Sequence, residues 1–176
     1  MSNGALPRQA ELRQWSAREI DADGSVGLDK MPRLTAAVIG AKAPATAALR
    51  CSRDTQGRYL VGIRVEMDVV MTCQRCLERC DVALATDSVL ACVWDDTAAG
   101  DLPTDYDPLV TGDVTDLHEL VEDELLLAVP AVAMHIAPAC QAQSAGAEDN
   151  IISEEVETTT RPFAGLSELL ESSHKN

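Results

Sequence analysis

The chain has 176 residues, 46% hydrophobic and only 3% aromatic, which suits one domain with an aliphatic core plus a loose tail. Its formal net charge of −15 argues against a surface that holds nucleic-acid phosphates, and the scarcity of rings argues against a platform for stacking RNA bases. No apolar run reaches the roughly 18 residues of a membrane helix and no secretory signal opens the chain, so we expect a soluble, cytoplasmic protein without membrane partners.

The first third of the chain predicts one short helix and two strands. Residues 8–20 place apolar side chains at helical spacing, and the Asp- and Gly-containing stretch 21–25 is typical of a turn. Residues 34–40 and 46–53 are each predicted to form a strand. Residues 54–57 then predict a turn.

The clearest pattern is a strand over residues 61–72, in which apolar and mostly polar side chains alternate. A period of two places one set on each face of a sheet. Residues 82–94 show a weaker alternation that includes Trp94, so we expect an antiparallel hairpin whose connection, 73–80, carries three cysteines. With the earlier strands this predicts a meander of about four strands, which can curl into a half-barrel.

The second half predicts an acidic loop and one helix. Residues 95–113 are rich in Asp, Gly, Pro and Thr, and a helix is expected near 115–129, where Asp116 and Glu119 fit a cap and Pro130 ends the pattern. The fold class is therefore α+β, an antiparallel β-meander with one packed helix.

Composition divides the chain into a domain and a tail. We expect residues 1–140 to form a single α+β domain and 141–176 a flexible acidic region. Within that region, 162–171 can form a short amphipathic segment whose stripe includes Phe163 and Leu166. Such a segment either folds back on its own domain or binds a partner.

Charge is distributed unevenly. Residues 1–94 hold 12 basic and 11 acidic residues, whereas residues 95–176 hold 2 basic and 18 acidic residues. A polyanionic half repels phosphate backbones and attracts basic proteins.

The three consecutive acidic residues of the predicted helix are expected to form a solvated face or a surface for a basic partner; they are Glu122, Asp123 and Glu124. Two arginines near the cysteines, Arg75 and Arg79, can grip a phosphate or pair with the acidic half.

The cysteines suggest a metal site. Cys73 and Cys76 are spaced so that a tight turn brings both sulfurs to one side, where they can bind one tetrahedral zinc ion. The remaining ligands would come from Cys80, His135 or Cys140, and the set Cys73, Cys76, His135 and Cys140 is the expected one. The alternatives are reduced thiols in a hairpin turn, or redox activity, although a redox Cys-x-x-Cys belongs at a helix start in a βαβ unit.

Several short motifs in a fixed order resemble the YceD family of large ribosomal RNA subunit accumulation proteins. The residues that carry the resemblance are Thr72-Cys-Gln-Arg-Cys-Leu77, Tyr106-Asp-Pro-Leu, Asp116-Leu, Val121-Glu-Asp-Glu-Leu-Leu-Leu-Ala-Val-Pro130, His135, Cys140 and Pro162-Phe-Ala-x-Leu166. The resemblance implies a bacterial cytoplasmic protein that supports the synthesis, processing or stability of large-subunit rRNA.

The sequence shows no phosphate loop, dinucleotide fingerprint, nucleophile elbow or His-Glu-x-x-His motif, so we expect neither an enzyme nor a small-molecule substrate. The leading hypothesis is a ribosome-biogenesis factor whose acidic half binds a basic ribosomal protein or assembly factor. The alternative is a direct binding module for large-subunit rRNA with a structural metal. A metal-dependent or redox enzyme is a third hypothesis.

Overall fold

The computed structural model of the chain describes residues 4–136 and residue 140. The strands, in chain order, are β1 (Gln9–Ala10), β2 (Asp21–Val26), β3 (Gly40–Ala41), β4 (Ala45–Arg53), β5 (Tyr59–Thr72), β6 (Arg79–Val93), β7 (Asp107–Val110) and β8 (Thr115–Asp116). The helices are α1 (Leu12–Ala17), α2 (Pro32–Ala37), α3 (Asp96–Gly100) and α4 (Leu117–Ala128), with a 3-10 turn at Leu28–Lys30.

The main sheet has the strand order β2-β4-β5-β6-β7, so that β2 and β7 are its outer strands among the described residues. The short strand β3 also pairs with β5. Pairing is antiparallel from β2 through β6, which confirms the α+β class and the predicted hairpin. The last pair differs, because β7 runs parallel to β6 after the connection through α3. Residues 95–113 therefore contain a helix and a strand where a loop was predicted.

The predicted alternation along β5 is confirmed, and it explains where the core lies. Val61, Ile63, Val65, Met67 and Val69 are at most 4% exposed. Helix α1 packs on β4 and β5, and α4 packs on β5 and β6. The intervening side chains of β5, which include Arg64 and Glu66, stay exposed on the other face. One face of the sheet thus forms the core with the helices.

Helix α4 begins where the cap pattern predicts. The Asp116 carboxylate accepts hydrogen bonds from the backbone N–H groups of His118 and Glu119, at 2.9 and 3.2 Å. These bonds satisfy two of the donors that the first turn leaves free, and together with the Arg8 guanidinium they keep the pKa of the Asp116 carboxyl below its usual value despite its partial burial. The helix ends before Pro130, whose ring favours extended backbone at Val129.

Two predictions for the first third are wrong. Residues 34–40 were expected to be a strand, but Pro32–Ala37 is helix α2, because Pro32 provides a helical φ at the first position and Glu122 accepts from the N–H groups of Arg33 and Leu34. Residues 21–25 were expected to turn, but they form β2, where Arg50 of β4 pairs with Asp21 and Asp23. Both outcomes depend on partners that are distant in sequence.

The division at residue 140 stays a prediction. Residues 141–176, with Phe163, Leu166 and the segment 162–171, lie outside the described residues.

Candidate metal centre

The loop between β5 and β6 presents the Cys-x-x-Cys pair. The Cys73 N–H donates to the Glu78 carbonyl at 2.8 Å, and the Leu77 N–H donates to the Cys73 carbonyl at 2.9 Å. Leu77 adopts the left-handed region at φ 63°, which non-glycine residues seldom adopt. These features close a tight turn, and it brings the Cys73 and Cys76 side chains to one side.

The segment that follows α4 supplies the other half of the site. Beyond Pro130 the chain runs along the cysteine loop, where the Gln74 N–H donates to the Ala133 carbonyl at 2.9 Å and Ala133 is only 4% exposed. This segment carries His135 toward the loop, and Cys140 also lies there. The sequence separation is large: Cys73 and Cys140 are 67 residues apart.

Four side chains converge at this point. The ligand atoms of Cys73, Cys76, His135 and Cys140 all lie within 4.8 Å of one another. The Cys73 and Cys140 sulfurs are 3.8 Å apart, and the Cys76 sulfur is 3.3 Å from His135 Nδ1. A zinc tetrahedron with Zn–S bonds of about 2.3 Å has S···S edges of about 3.8 Å and S···N edges of about 3.6 Å. The donor set and its spacing therefore fit zinc.

His135 is oriented as a ligand. Its Nε2 lies 2.9 Å from the Arg79 carbonyl, and because a carbonyl only accepts, Nε2 carries the proton. Nδ1 then offers its lone pair to the cluster. A backbone acceptor on the far nitrogen is the usual outer support of a metal-binding histidine. The nearby Cys140 and Cys73 sulfurs and this carbonyl raise the pKa of His135 in the absence of metal.

The thiols differ in acidity. The backbone N–H of Cys76, with those of His135 and Arg75, outweighs burial and lowers the pKa of Cys73 to about 5. The Glu78 N–H favours the Cys76 thiolate, but burial and the neighbouring Cys73 and Cys140 thiols raise the pKa of Cys76 overall. These hydrogen bonds favour the thiolate of Cys73, and a bound dication would favour ionisation of the other thiols as well.

The remaining cysteines are placed differently. Cys80 is 2% exposed beside the cluster, but it is outside the four-ligand group that the described residues form. Cys51 and Cys92 lie in the core, and burial raises the pKa of each to about 11.

The arginines of the cysteine loop are exposed. Arg75 lies 3.5 Å from the His135 carbonyl, and neither Arg75 nor Arg79 forms an ion pair within residues 4–136. Pairing with the acidic half, one of the two roles expected for these arginines, is not seen in that part of the chain.

The acidic residues of α4 are mostly used inside the fold. Glu122 is 3% exposed and binds Arg33, and Glu124 is 6% exposed and accepts from the Ser88 hydroxyl at 2.9 Å. Asp123 is half exposed and pairs with the same Arg33 at 2.7 Å. The expectation that these three carboxylates form a solvated face is therefore wrong for Glu122 and Glu124, because α4 turns both toward its own domain.

A group of exposed carboxylates lies instead at the β7 side of the sheet. We call six of them the acidic edge: Asp95, Asp96, Asp101, Asp105, Asp107 and Asp113. All six are exposed, and none forms an ion pair with a described residue. The acidic composition of 95–113 signalled this surface, but the sequence did not show that β7 would fix it to a sheet edge.

The structure thus defines a small α+β protein with a Cys3His ligand set between a hairpin loop and the segment after its last described helix. No described helix is long and apolar enough to cross a membrane. The profile of the family described as "Large ribosomal RNA subunit accumulation protein YceD" matches residues 61–170, and the chain belongs to this family.

One relative extends the similarity to nearly the whole chain. The "Large ribosomal RNA subunit accumulation protein YceD" of Haemophilus influenzae is 29% identical over 171 residues, which cover 96% of this chain and 98% of that protein. No solved structure matches the chain.

Proposed function

We propose that this protein is a non-enzymatic, cytoplasmic factor that supports the synthesis, processing or stability of large-subunit rRNA by binding a basic ribosomal protein or assembly factor. Family membership supports the connection with rRNA. The acidic edge supports the kind of partner.

The observation that carries the proposal is the unpaired charge of residues 95–136, which contain eleven acidic residues and no lysine or arginine. Four of the eleven are bound within the fold: Asp116, Glu122, Asp123 and Glu124. The six carboxylates of the acidic edge face solvent. Such a surface repels rRNA phosphates and attracts the lysine- and arginine-rich segments of ribosomal proteins, chiefly by accelerating their association.

Neutralising part of the acidic edge tests the proposal. We expect the triple variant Asp101→Asn, Asp105→Asn, Asp107→Asn to recover fewer basic ribosomal proteins than wild type in a pull-down from lysate at low salt. Three exposed ion pairs of roughly 0.2–1 kcal/mol each correspond to roughly a threefold to 150-fold loss of affinity. The loss should shrink at high salt, because salt screens exposed charges.

A matched control removes the same number of charges elsewhere. The residues Glu19, Glu66 and Asp68 are exposed, and none forms an ion pair with a described residue. Changing them to Gln, Gln and Asn should leave recovery unchanged. Recovery of no ribosomal proteins by the wild type, or equal losses in both triple variants, would contradict the proposal.

We also propose that Cys73, Cys76, His135 and Cys140 hold one structural zinc ion. With four protein ligands the site is closed, as structural zinc sites are, whereas catalytic sites keep a position for water. The ion would supply a cross-link between the cysteine loop and the segment after α4. The Gln74–Ala133 hydrogen bond joins the same two elements.

A second candidate function is direct contact with large-subunit rRNA beside this centre. The exposed Arg75 and Arg79, without ion pairs in the described part of the chain, favour it. If they bind phosphates, the double variant Arg75→Ala, Arg79→Ala should lower affinity for an rRNA fragment and reduce the slope of log affinity against log salt by about 2. Absence of wild-type binding near ~50 mM salt would rule this candidate out.

A further inference from the structure

A cleft of about 510 Å³ lies at the end of the sheet where β6 stops and α1 passes. The residues that matter for its chemistry are Glu11, Arg13, Gln14, Tyr59, Trp94 and Asp113. None of the residues that line the cleft belongs to the metal centre, and neither the charge pattern nor the motifs pointed to it. Its lining combines aromatic rings with carboxylates.

Trp94 is the main feature of the cleft, because 64% of this large ring is exposed. The Arg13 guanidinium already covers one side of the indole, 3.2 Å from the ring centroid. Arg13 is held there by the carbonyls of Val93 and Thr111, at 2.7 and 2.8 Å, and by that of Gly112 at 3.1 Å. Because Arg13 covers one face of the indole, the exposed part of Trp94 includes the opposite face.

The charges around the ring favour a cation on that face. Glu11 and Asp113 line the cleft, and Asp95 and Asp96 of the acidic edge follow Trp94 directly in the chain. The two carboxylates of the lining outnumber its single arginine. A π-face attracts cations, and nearby carboxylates can accept the hydrogen bonds of a guanidinium. An RNA base could stack here too, but its phosphates would meet these carboxylates.

We propose that this cleft receives an arginine side chain of the basic partner, with its guanidinium stacked on the free face of Trp94 and hydrogen-bonded to Glu11 or Asp113. The inference rests on the proposed function and deepens it, because it names a specific contact within an electrostatic surface. Arginine fits better than lysine, since its planar group both stacks and donates in a fork. Trp94 would make the contact specific for arginine, whereas the acidic edge would attract basic segments in general.

Tryptophan fluorescence of the full chain tests this proposal. The chain contains two tryptophans, and Trp15→Phe leaves Trp94 as the only reporter. Titration of this variant with a hexa-arginine peptide should change its emission. The affinities of variants without Trp94 are measured by isothermal titration calorimetry in the otherwise wild-type chain. Trp94→Leu should weaken binding of the peptide about five- to thirtyfold, on the scale of a cation–π contact, and Trp94→Phe should restore part of the affinity. Hexa-lysine should bind Trp94→Leu and wild type with similar affinity.

Each other outcome overturns the inference. If Trp94→Leu binds hexa-arginine as the wild type does, while the acidic-edge triple variant binds it less well, the cleft proposal fails and the proposed function stands. If hexa-arginine binds neither wild type nor variant, both fail. If an oligouridine RNA changes Trp94 emission at lower concentration than hexa-arginine does, the cleft is a nucleic-acid site.

Trp15→Phe is the control for substitution of a tryptophan. This variant should bind hexa-arginine with the affinity of the wild type.

Discussion

Changing Cys140 to serine is expected to remove zinc from the protein and to lower its thermal unfolding midpoint. The wild type should contain about one zinc per chain when it is purified without chelators, and the variant close to none. A ligand at a thousand times its Kd stabilises by about 4 kcal/mol. At 2–4 °C per kcal/mol for a domain of this size, loss of the ion should lower the midpoint by about 8–16 °C.

The physical reason is the position of Cys140 in the cluster. Its sulfur lies 3.8 Å from that of Cys73, which is 67 residues away in the sequence. Without this ligand, three residues remain for a site that requires four. A chelator should lower the wild-type midpoint to a similar extent and leave the Cys140→Ser midpoint nearly unchanged, which separates loss of metal from loss of packing.

Cys80 provides the matched control, because it is a buried cysteine beside the same cluster but outside the ligand group. Cys80→Ala should keep about one zinc per chain. Zinc retained at that level by Cys140→Ser would show that the four residues do not form the site. Zinc lost equally from both variants would indicate that packing, and not ligation, holds the ion.

Changing Glu122 to alanine should lower the free energy of unfolding by about 3 kcal/mol, the cost of leaving buried donors and a guanidinium without their acceptor. The Glu122 carboxylate accepts from the N–H groups of Arg33 and Leu34 at 2.6 and 3.0 Å and pairs with the Arg33 side chain at 3.1 Å. It thus connects the first turn of α2 to α4. Urea denaturation measures the change.

Asp123 is the control for this prediction, since it binds the same guanidinium from a half-exposed position. Asp123→Ala should cost less than about 1 kcal/mol, as exposed ion pairs do. Glu122→Gln, which keeps an acceptor oxygen, should fall between the two. A larger loss for Asp123→Ala than for Glu122→Ala would refute the role assigned to the buried carboxylate.

The parts of the fold that sequence could predict are those with local causes. The β5–β6 hairpin follows from a period-two pattern and a short connection, and α4 follows from its Asp116 cap and its apolar face. Helix α2 could not be predicted, because its first N–H groups are satisfied by Glu122, 88 or 89 residues away. Strand β2 depends in the same way on Arg50 of the neighbouring strand.

Of the candidate sites, the metal centre could be predicted from the sequence and the cleft at Trp94 could not. The sequence suggested all four residues of the Cys3His group, because a helix that packs back on the sheet returns His135 and Cys140 to the cysteine loop. The burial of Glu124 beside Ser88 of β6 could not be predicted, because the two residues are 36 positions apart. Trp94 was assigned to the apolar face of a strand, but β6 ends one residue earlier and the ring turns outward.

We propose that the acidic edge supports large-subunit rRNA by binding a basic protein. One measurement in cells tests this role most directly. Cells whose only copy is wild type, the acidic-edge triple variant or the matched triple variant of Glu19, Glu66 and Asp68 are compared by their ratio of large- to small-subunit rRNA. We predict a lower ratio for the acidic-edge variant at equal protein level and a normal ratio for the matched variant. A normal ratio for the acidic-edge variant would contradict the account.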